Sequence, residues 1–508
     1  MLFLKLSEDP IISFQAYRTL SGSQHFFENP LADLLKTAIA TDANDTVLQF
    51  YKQVAGRVPA YKNFLEQQGI NPPAIETFAD FQQLPLLTKE NYCQAFPLAQ
   101  RCWLGRLETC DLLAMSSGST GNPTVWPRSI GDEYAIAQRF EQVFRDSFQA
   151  KERRTLAVVC FPMGTWVGGL FTTNCCRHVA NKGYPITVIA PGNQPSEILR
   201  VVKALGPEFE QVVLLGYPPF IKTVVDQGLN QGFDWSALKP KLVLAGEVFS
   251  EEWRTLMGDR LGMANVVTDT ASLYGTADAG VLGNETPLSI TIRRFLATRP
   301  ELSQALFGQE RLPTLVQYDP TQRFFEVQNG SLLFSGDSSV PLIRYHIADT
   351  GGIISYADLM AFLKQHGFDP LRQLPNPELA YALPFVYVFS RANFVLSFYG
   401  ANLYPENVAI GLEQPEIRDQ VTGKFVMAID QDPDQNPYLA IAVECAANVN
   451  PTDLNPSIIA QTIKDQICRL NSEFAHYVPT ASQFPRISLH PLGDPTYFPP
   501  GVKHRYTR

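Results

Sequence analysis

The run that decides the fold lies between residues 154 and 247, where RTLAVVCF (154–161), YPITVIAPG (184–192), QVVLLGY (211–217) and KLVLAGE (241–247) alternate with helical sequence. These four are short apolar runs rich in Val, Leu and Ile, the composition of strands buried on both faces. Between the second and third, PSEILRVVKALG (195–206) has Pro195 and Ser196 as a helix start and Gly206 as a stop. Ahead of the first strand, Ile136, Phe140, Val143, Phe144 and Phe148 fall on one face of another helix. Strands alternating with helices of this length predict βαβ units and a largely parallel sheet. Ligands of such sheets sit at the carboxyl ends of the strands. The residues just after each strand therefore matter most.

Towards the C-terminus the pattern changes. KFVMAID (424–430) and YLAIAVECA (438–446) predict a strand pair joined by the polar turn QDPDQNP. Asn455-Pro456 then opens a helix whose stripe is Ile459, Ile463, Ile467 and Leu470, and RISLHPL adds a strand. The expected fold class is α/β: a large N-terminal domain, residues 1–389, built of α/β subdomains with mostly parallel sheets, and a small α+β domain, residues 390–508. Residues 356–385 carry several prolines and no periodicity beyond a short helix around Leu359–Leu363, which reads as an insertion or linker.

A chain of 508 residues exceeds one hydrophobic core, so two to four domains or subdomains are expected. A net charge of −9 argues against nucleic acid or an anionic membrane as partner, since both demand basic surface. A small anionic ligand remains compatible, because one cluster of donors suffices to hold it. No apolar run reaches transmembrane length, and Glu8 and Asp9 interrupt the apolar start too early for a signal peptide, so a cytoplasmic location is expected. None of the eight cysteines has C-x-x-C spacing, which predicts reduced thiols rather than a zinc knuckle or a disulfide framework.

Four short stretches carry candidate chemistry. SSGSTG (116–121) could cradle phosphate through backbone N–H groups and hydroxyls, or could be a hairpin turn. It is not a Walker loop, because the strand-like TVWP comes after it and Asn122 stands where a lysine would help. Gly246-Glu247 ends a buried strand, where glycine permits close approach of a flat ring. In ASLYGTADAG, Tyr274 offers a flat face, Gly275 close approach, Thr276 a hydroxyl and Asp278 a hard oxygen for Mg²⁺. In VPLIRYHIADTGG, Asp349 could accept both hydroxyls of a ribose, or could stabilise a Gly351-Gly352 turn. A hydrolase reading of Gly336-Asp337-Ser338 lacks a partner histidine, since His346 sits on a strand-like run.

In this order, and joined by VPAYKNFLEQQGINPPAIETFADFQQLPLLTKENY (58–92), SRANFVLSFYGANLYPENV (390–408) and GVKHRY (501–506), the stretches resemble the adenylate-forming superfamily, specifically its phenylacetate-CoA ligase-like branch. The resemblance implies activation of a carboxylic acid, expected to be aromatic, by ATP as an acyl-AMP with release of pyrophosphate, then thioester formation with CoA. The alternatives are transfer to a carrier-protein thiol or other nucleophile, and a degenerate homologue that binds without catalysis. The implied partners are a small-molecule carboxylate, CoA, ATP and Mg²⁺, with no nucleic acid or membrane, in a monomer or homodimer.

By that resemblance Ser116, Ser117, Gly118, Ser119, Thr120 and Gly121 would hold the β- and γ-phosphates, and Gly246 and Glu247 would line the adenine. Tyr274 would stack on it beside Gly275, Thr276 would approach the α-phosphate, and Asp278 would bind Mg²⁺. Asp349 and Arg391 would hold the ribose, and Lys503 would bring its charge to the α-phosphate and acyl oxygens. Met163, Trp166, Gly168 and Gly169 would shape the acyl slot. Departures from the family pattern are Asn122 for lysine, Asp278 for glutamate, Ala348 for the glycine before Asp349, and Asn393 with Phe394 at the hinge acids. Lys503 also stands one place later than in the commonest form of its motif.

Overall fold

The computed structural model describes residues 10–116, 124–246, 248–309, 312–391, 396–412, 414–446, 449–498 and 506–507. Two compact units emerge. The first comprises Met1–Ser116, Val125–Gly216 and Val224–Ser390, and the second Ser117–Thr124, Tyr217–Thr223 and Arg391–Arg508.

In the first unit β1 (Leu112–Ser116) and β2 (Thr124–Arg128) form a small two-stranded sheet. The main sheet has eleven strands. They are β3 (Thr155–Val159), β4 (Ile186–Ile189), β5 (Gln211–Gly216), β6 (Lys241–Ala245), β7 (Thr270–Thr276), β8 (Gly280–Asn284), β9 (Thr314–Gln317), β10 (Arg323–Gln328), β11 (Ser331–Gly336), β12 (Leu342–Ile354) and β13 (Phe385–Arg391). Their order is β10-β11-β12-β13-β9-β8-β7-β6-β5-β3-β4. The run β4-β3-β5-β6-β7 is parallel throughout, as the alternation of strands and helices predicts. From β7 the sheet continues through antiparallel pairs, β7 with β8, β8 with β9 and β9 with β13, and β10, β11 and β12 pair antiparallel at the far edge.

Burial explains the parallel run. All residues of β3 and β5 are buried, as the apolar runs that follow Thr155 and Gln211 require of strands covered on both faces. One such helix, Pro195–Leu205, buries Ile198, Leu199, Val201 and Val202. Gly206 ends it with right-handed φ, and a Cβ there would press on the Leu238 side chain at 3.0 Å. On the antiparallel side, helical segments before residue 110 contribute Tyr51, Tyr61, Phe64 and Tyr92 to a core shared with Trp126, Phe325 and Tyr345.

Residues 356–385, expected as an insertion or linker with a short helix around Leu359–Leu363, carry that helix and pack into a core. The helix Tyr356–Gln365 buries Leu359 and Leu363 completely, and with Leu374 and Phe385 they share a core with Leu288, Ile292 and Leu296. Prolines here open short 3-10 turns, at Pro370–Gln373 and Pro377–Leu379. Such turns conceal burial from any periodic reading.

The second unit contains β14 (Leu396–Phe398) paired with β15 (Ala401–Leu403), and a three-stranded sheet of β16 (Val421–Gln431), β17 (Pro437–Cys445) and β18 (Arg486–His490). Asn455 caps the helix Pro456–Leu470 by accepting from Ser457 N at 2.9 Å, and Ile459, Ile463 and Ile467 are buried. Tyr506 is fastened near the chain end, its carbonyl accepting from Met427 N in β16 at 2.8 Å. Among the described residues no helix is long and apolar enough to cross a membrane.

Candidate active site

Because β3, β5, β6 and β7 are parallel, their carboxyl ends share one edge of the sheet. Met163 and Trp166 come after β3, Gly246 after β6, and Tyr274, Gly275 and Thr276 are the last residues of β7. Gly246 has φ +88, in the left-handed region that favours glycine, and is exposed.

A buried ion network supports this edge from within. Arg254, fully buried, donates to Glu251 Oε2 at 2.9 Å and to Glu285 Oε1 at 2.7 Å, and Arg293 donates to Glu251 Oε1 at 2.6 Å. Arg293 also donates to the Phe249 carbonyl, and Arg254 and Arg293 lie 4.9 and 5.5 Å from the Phe249 ring centroid. The turn after β6 is thereby pinned. Glu285 Oε2 accepts from Ser272 N at 2.9 Å, so the same network holds β7 two residues before Tyr274. Burial pushes the Glu251 carboxyl up, but Arg254 and Arg293 outweigh it and leave its pKa below the ordinary value.

Two tyrosine–aspartate bonds cross the site in opposite senses. Tyr274, on β7, donates to Asp349 Oδ2 on β12 at 2.7 Å. Tyr345, on β12, donates to Asp278 Oδ2 beyond β7 at 2.7 Å. Each strand holds the other's carboxylate. Burial, then the Asp278 charge, pushes the Tyr345 pKa far up, so Tyr345 stays a donor at any ordinary pH. The same two causes push the Cys93 thiol up to about 12. Arg128, buried at the end of β2, donates to the carbonyls of Ala277 and Asp278 and so fixes the Asp278 turn from a third side. Thr276 Oγ1 accepts from Ala279 N at 3.1 Å within that turn. Tyr345→Phe is expected to cost about 1.5–3 kcal/mol, the range for a hydrogen bond to a charged group. A urea titration showing under 0.5 kcal/mol would mean that the bond contributes nothing to stability.

Tyr274 and Asp349 are 9% and 5% exposed, and the Tyr274 ring lies 6.4 Å from that of Phe325. The space beside Gly275 belongs to the protein itself, since a Cβ would lie 2.6 Å from the Gly280 carbonyl oxygen. Gly351 and Gly352 form no turn after Asp349: both lie inside β12, where a Cβ on Gly351 would sit 2.0 Å from the Tyr387 carbonyl oxygen. Ala348 has φ +68. The position suits glycine, which the resemblance expects there. Ala348→Gly should therefore stabilise the protein by about 1 kcal/mol, read as a raised urea midpoint.

Of the residues expected to shape an acyl slot, Met163 packs beside Gly169 and Trp166 lines a recess. Met115 on β1 bridges to Trp166, with Met115 N donating to the Thr165 carbonyl at 2.9 Å, so the end of β1 abuts the segment after β3. Trp166, Val167, Leu170 and Phe171 share a shallow apolar recess with Leu112 and Ala114. Gly168 and Gly169 belong to the helix Val167–Asn181. At Gly169 the vacant side-chain position is filled by the Pro162 carbonyl oxygen, 2.2 Å from where a Cβ would stand, so this glycine serves packing rather than ligand room.

Ser116 ends β1 and Arg391 ends β13, and only their backbones are described. Ser117, Gly118, Ser119, Thr120, Gly121, Asn122, Glu247, Asn393, Phe394 and Lys503 lie outside the described residues. Asp337 pairs with Arg18 at 3.0 Å and Ser338 donates to the Val340 carbonyl at 2.6 Å, which gives both a structural role. Sequence reasoning missed Arg128, Tyr345 and the Arg254–Glu285 network. Arg128 does precede a legible signal, the Ser129-x-x-Asp132 capping box, which is present.

Among the described residues no three His, Cys, Asp or Glu side chains form a metal cluster. Asp278 Oδ2 accepts from Tyr345, and Oδ1 accepts no hydrogen bond from any described residue. One oriented carboxylate oxygen fits Mg²⁺, which is commonly held by one or two carboxylates together with phosphate oxygens.

No family model matches the chain. Among curated proteins it is 23% identical over 366 residues to a phenylacetate-coenzyme A ligase of Thermus thermophilus, covering 71% of this chain and 72% of that one. To a phenylacetate-coenzyme A ligase of Aromatoleum evansii it is 23% identical over 223 residues, 44% of this chain and about half, 47%, of the relative's length. Among solved structures it is similar to 2-hydroxyisobutyryl-CoA ligase in complex with 2-HIB-AMP and CoA, with a TM-score of 0.63 at 14% identity, covering 94% of this chain and 90% of that one. The chain has the fold of the adenylate-forming superfamily, and its sequence is similar to the phenylacetate-CoA ligases within it.

Proposed function

We propose that this protein activates a carboxylic acid with ATP, forming an acyl-AMP and pyrophosphate, and then passes the acyl group to the thiol of CoA. The observation that carries the reading is the joining of the YGTAD and RYHIAD stretches by the reciprocal bonds Tyr274–Asp349 and Tyr345–Asp278. Two carboxylates are thus fixed at the carboxyl edge of a parallel sheet, beside the turn at Gly246.

A carboxylate is a poor electrophile because its leaving group would be an oxide. Attack of its oxygen on the α-phosphorus of ATP breaks the bond to the β-phosphate bridge and releases pyrophosphate. The resulting mixed anhydride then has AMP as a good leaving group. Attack by the CoA sulfur, with loss of its proton, gives the thioester and AMP. The protein's task is to hold two anions together and to stabilise charge at the α-phosphate. In this reading Ser116–Gly121 hold the terminal phosphates, Thr276 approaches the α-phosphate, Asp349 and Arg391 hold the ribose, and Lys503 supplies positive charge. Asp278 would hold Mg²⁺, which would offset the negative charge of the triphosphate. The domain limits proposed for this division of labour are residues 1–389 and 390–508. The apolar surroundings of Trp166 favour an aromatic acid.

Product analysis tests the second half. AMP and an acyl-CoA should accumulate together when ATP, acid and CoA are all present. Acyl-AMP formation without CoA-dependent AMP release would assign the acyl group to a carrier-protein thiol or another nucleophile instead.

A further inference from the structure

Cys102 and Cys110 turn their sulfur atoms toward each other, with Cys110 donating to Cys102 across 3.9 Å. Among the described residues no other two thiols are in hydrogen-bond contact. Cys102 is buried and Cys110 half-buried, so Cys110 is the more exposed residue of the pair. Both stand at joints in the backbone. Cys102 lies between the helix Leu98–Arg101 and the 3-10 turn Trp103–Gly105, and Cys110 comes directly after the 3-10 turn Leu107–Thr109. Leu104 and Gly105 between them have φ of 57 and 69, so the connecting segment is irregular rather than a continuous helix. A disulfide needs the sulfurs at about 2.05 Å, a closure of about 1.9 Å that side-chain rotation and small shifts at such joints can supply.

The chemistry is asymmetric. The hydrogen bond with Cys102 comes first, and contacts with the Thr109 and Ser339 hydroxyls add to it, together outweighing burial and holding the Cys110 pKa below the ordinary thiol value. Contact with Cys110, and then burial, push Cys102 up. Cys110 therefore has the greater thiolate character and access, and Cys102 is placed to resolve what Cys110 forms.

We propose that Cys102 and Cys110 are a modification site that closes to a reversible disulfide under a hydroperoxide oxidant. In the first step the Cys110 sulfur attacks a peroxide oxygen and the O–O bond breaks. Cys110 becomes a sulfenic acid, and the departing hydroxide takes up the Cys110 proton as water. In the second step the Cys102 sulfur attacks the Cys110 sulfur and the S–O bond breaks. The leaving hydroxide takes the Cys102 proton and departs as a second water. Two thiols lose two electrons, and one hydrogen peroxide is reduced to two waters. Such bonds in reducing compartments are characteristically transient and sensing rather than structural.

The place gives the bond a target. Asp111, the next residue, donates through its N–H to the Arg128 carbonyl at 3.0 Å, and its Oδ2 accepts from Ile130 N at 3.0 Å. Drawing Cys110 toward Cys102 strains the first rung of the β1–β2 sheet, and through Arg128 it reaches the Ala277–Asp278 turn.

Peptide mapping of the full-length protein tests this. Arg106 lies between the two cysteines, so trypsin separates them unless they are bonded. The reduced protein is treated with hydrogen peroxide, blocked with N-ethylmaleimide and digested without reductant. The expected result is one cross-linked pair, containing residues 102–106 and 107–128, that dithiothreitol splits. In Cys102→Ser the link is absent and Cys110 is trapped by dimedone as the sulfenic acid. Recovery of both cysteines alkylated would overturn the proposal, as would Cys110 oxidised to the sulfinic acid while Cys102 stays a thiol. The wild-type map decides the matter even if the variant folds poorly.

Discussion

Glu285→Ala is expected to cost about 3–5 kcal/mol of folding stability, the range for removing one partner of a buried ion pair. Glu285 is 1% exposed and holds Arg254 through one carboxylate oxygen and the Ser272 N–H through the other. Its loss leaves the guanidinium of a fully buried arginine short of one anion and a buried β7 amide without its acceptor. Against a typical total of about 5–15 kcal/mol the variant would be marginal at ambient temperature. A urea titration beside the wild type measures it, and a difference under 1 kcal/mol would show that Glu251 alone carries the arginines. The network also makes stability pH-dependent in a fixed sense. Because the Glu251 pKa is depressed, its contribution is present above the ordinary carboxylate value of about 4.3 and is lost as pH falls through the lower folded value.

Lys503→Ala is expected to lower adenylate formation by about 10²–10³-fold while leaving ATP binding nearly unchanged, the magnitude of removing one charge-stabilising donor from a transition state. Charge develops at the α-phosphate only as the carboxylate attacks, so a cation placed there acts on the barrier more than on the bound ATP. Initial rates give the first quantity and calorimetry with ATP the second. Unchanged turnover would remove Lys503 from the reaction and leave the terminal GVKHRY as a solvated basic segment.

How far each part of the fold was legible in the sequence depends on how that part is buried. The strands β3, β5 and β6 read clearly because they are covered on both faces and therefore apolar after their first residue. RFFEVQ, which forms β10, alternates buried with partly exposed positions and leaves no such run. The segment 356–385 reads as an insertion or linker because, beyond the short helix that carries Leu359 and Leu363, 3-10 turns leave no periodicity to mark the burial of Leu374. The motifs YGTAD and RYHIAD can be found one at a time, but their joining cannot. Tyr345 and Asp278 are 67 residues apart, and Tyr274 and Asp349 are 75 apart. No local periodicity carries a contact at that separation. Ala348 and Gly351 teach a related lesson. One occupies a left-handed position without being glycine, and the other, read as part of a turn, is needed because a neighbouring strand's carbonyl leaves no room for a Cβ.

The most direct test of the acid-activating reading is exchange of labelled pyrophosphate into ATP across a panel of aryl and aliphatic carboxylic acids. Exchange that appears only with one class of acid, and needs no CoA, is the predicted result. No exchange with any acid, together with no ATP binding by calorimetry, would contradict it.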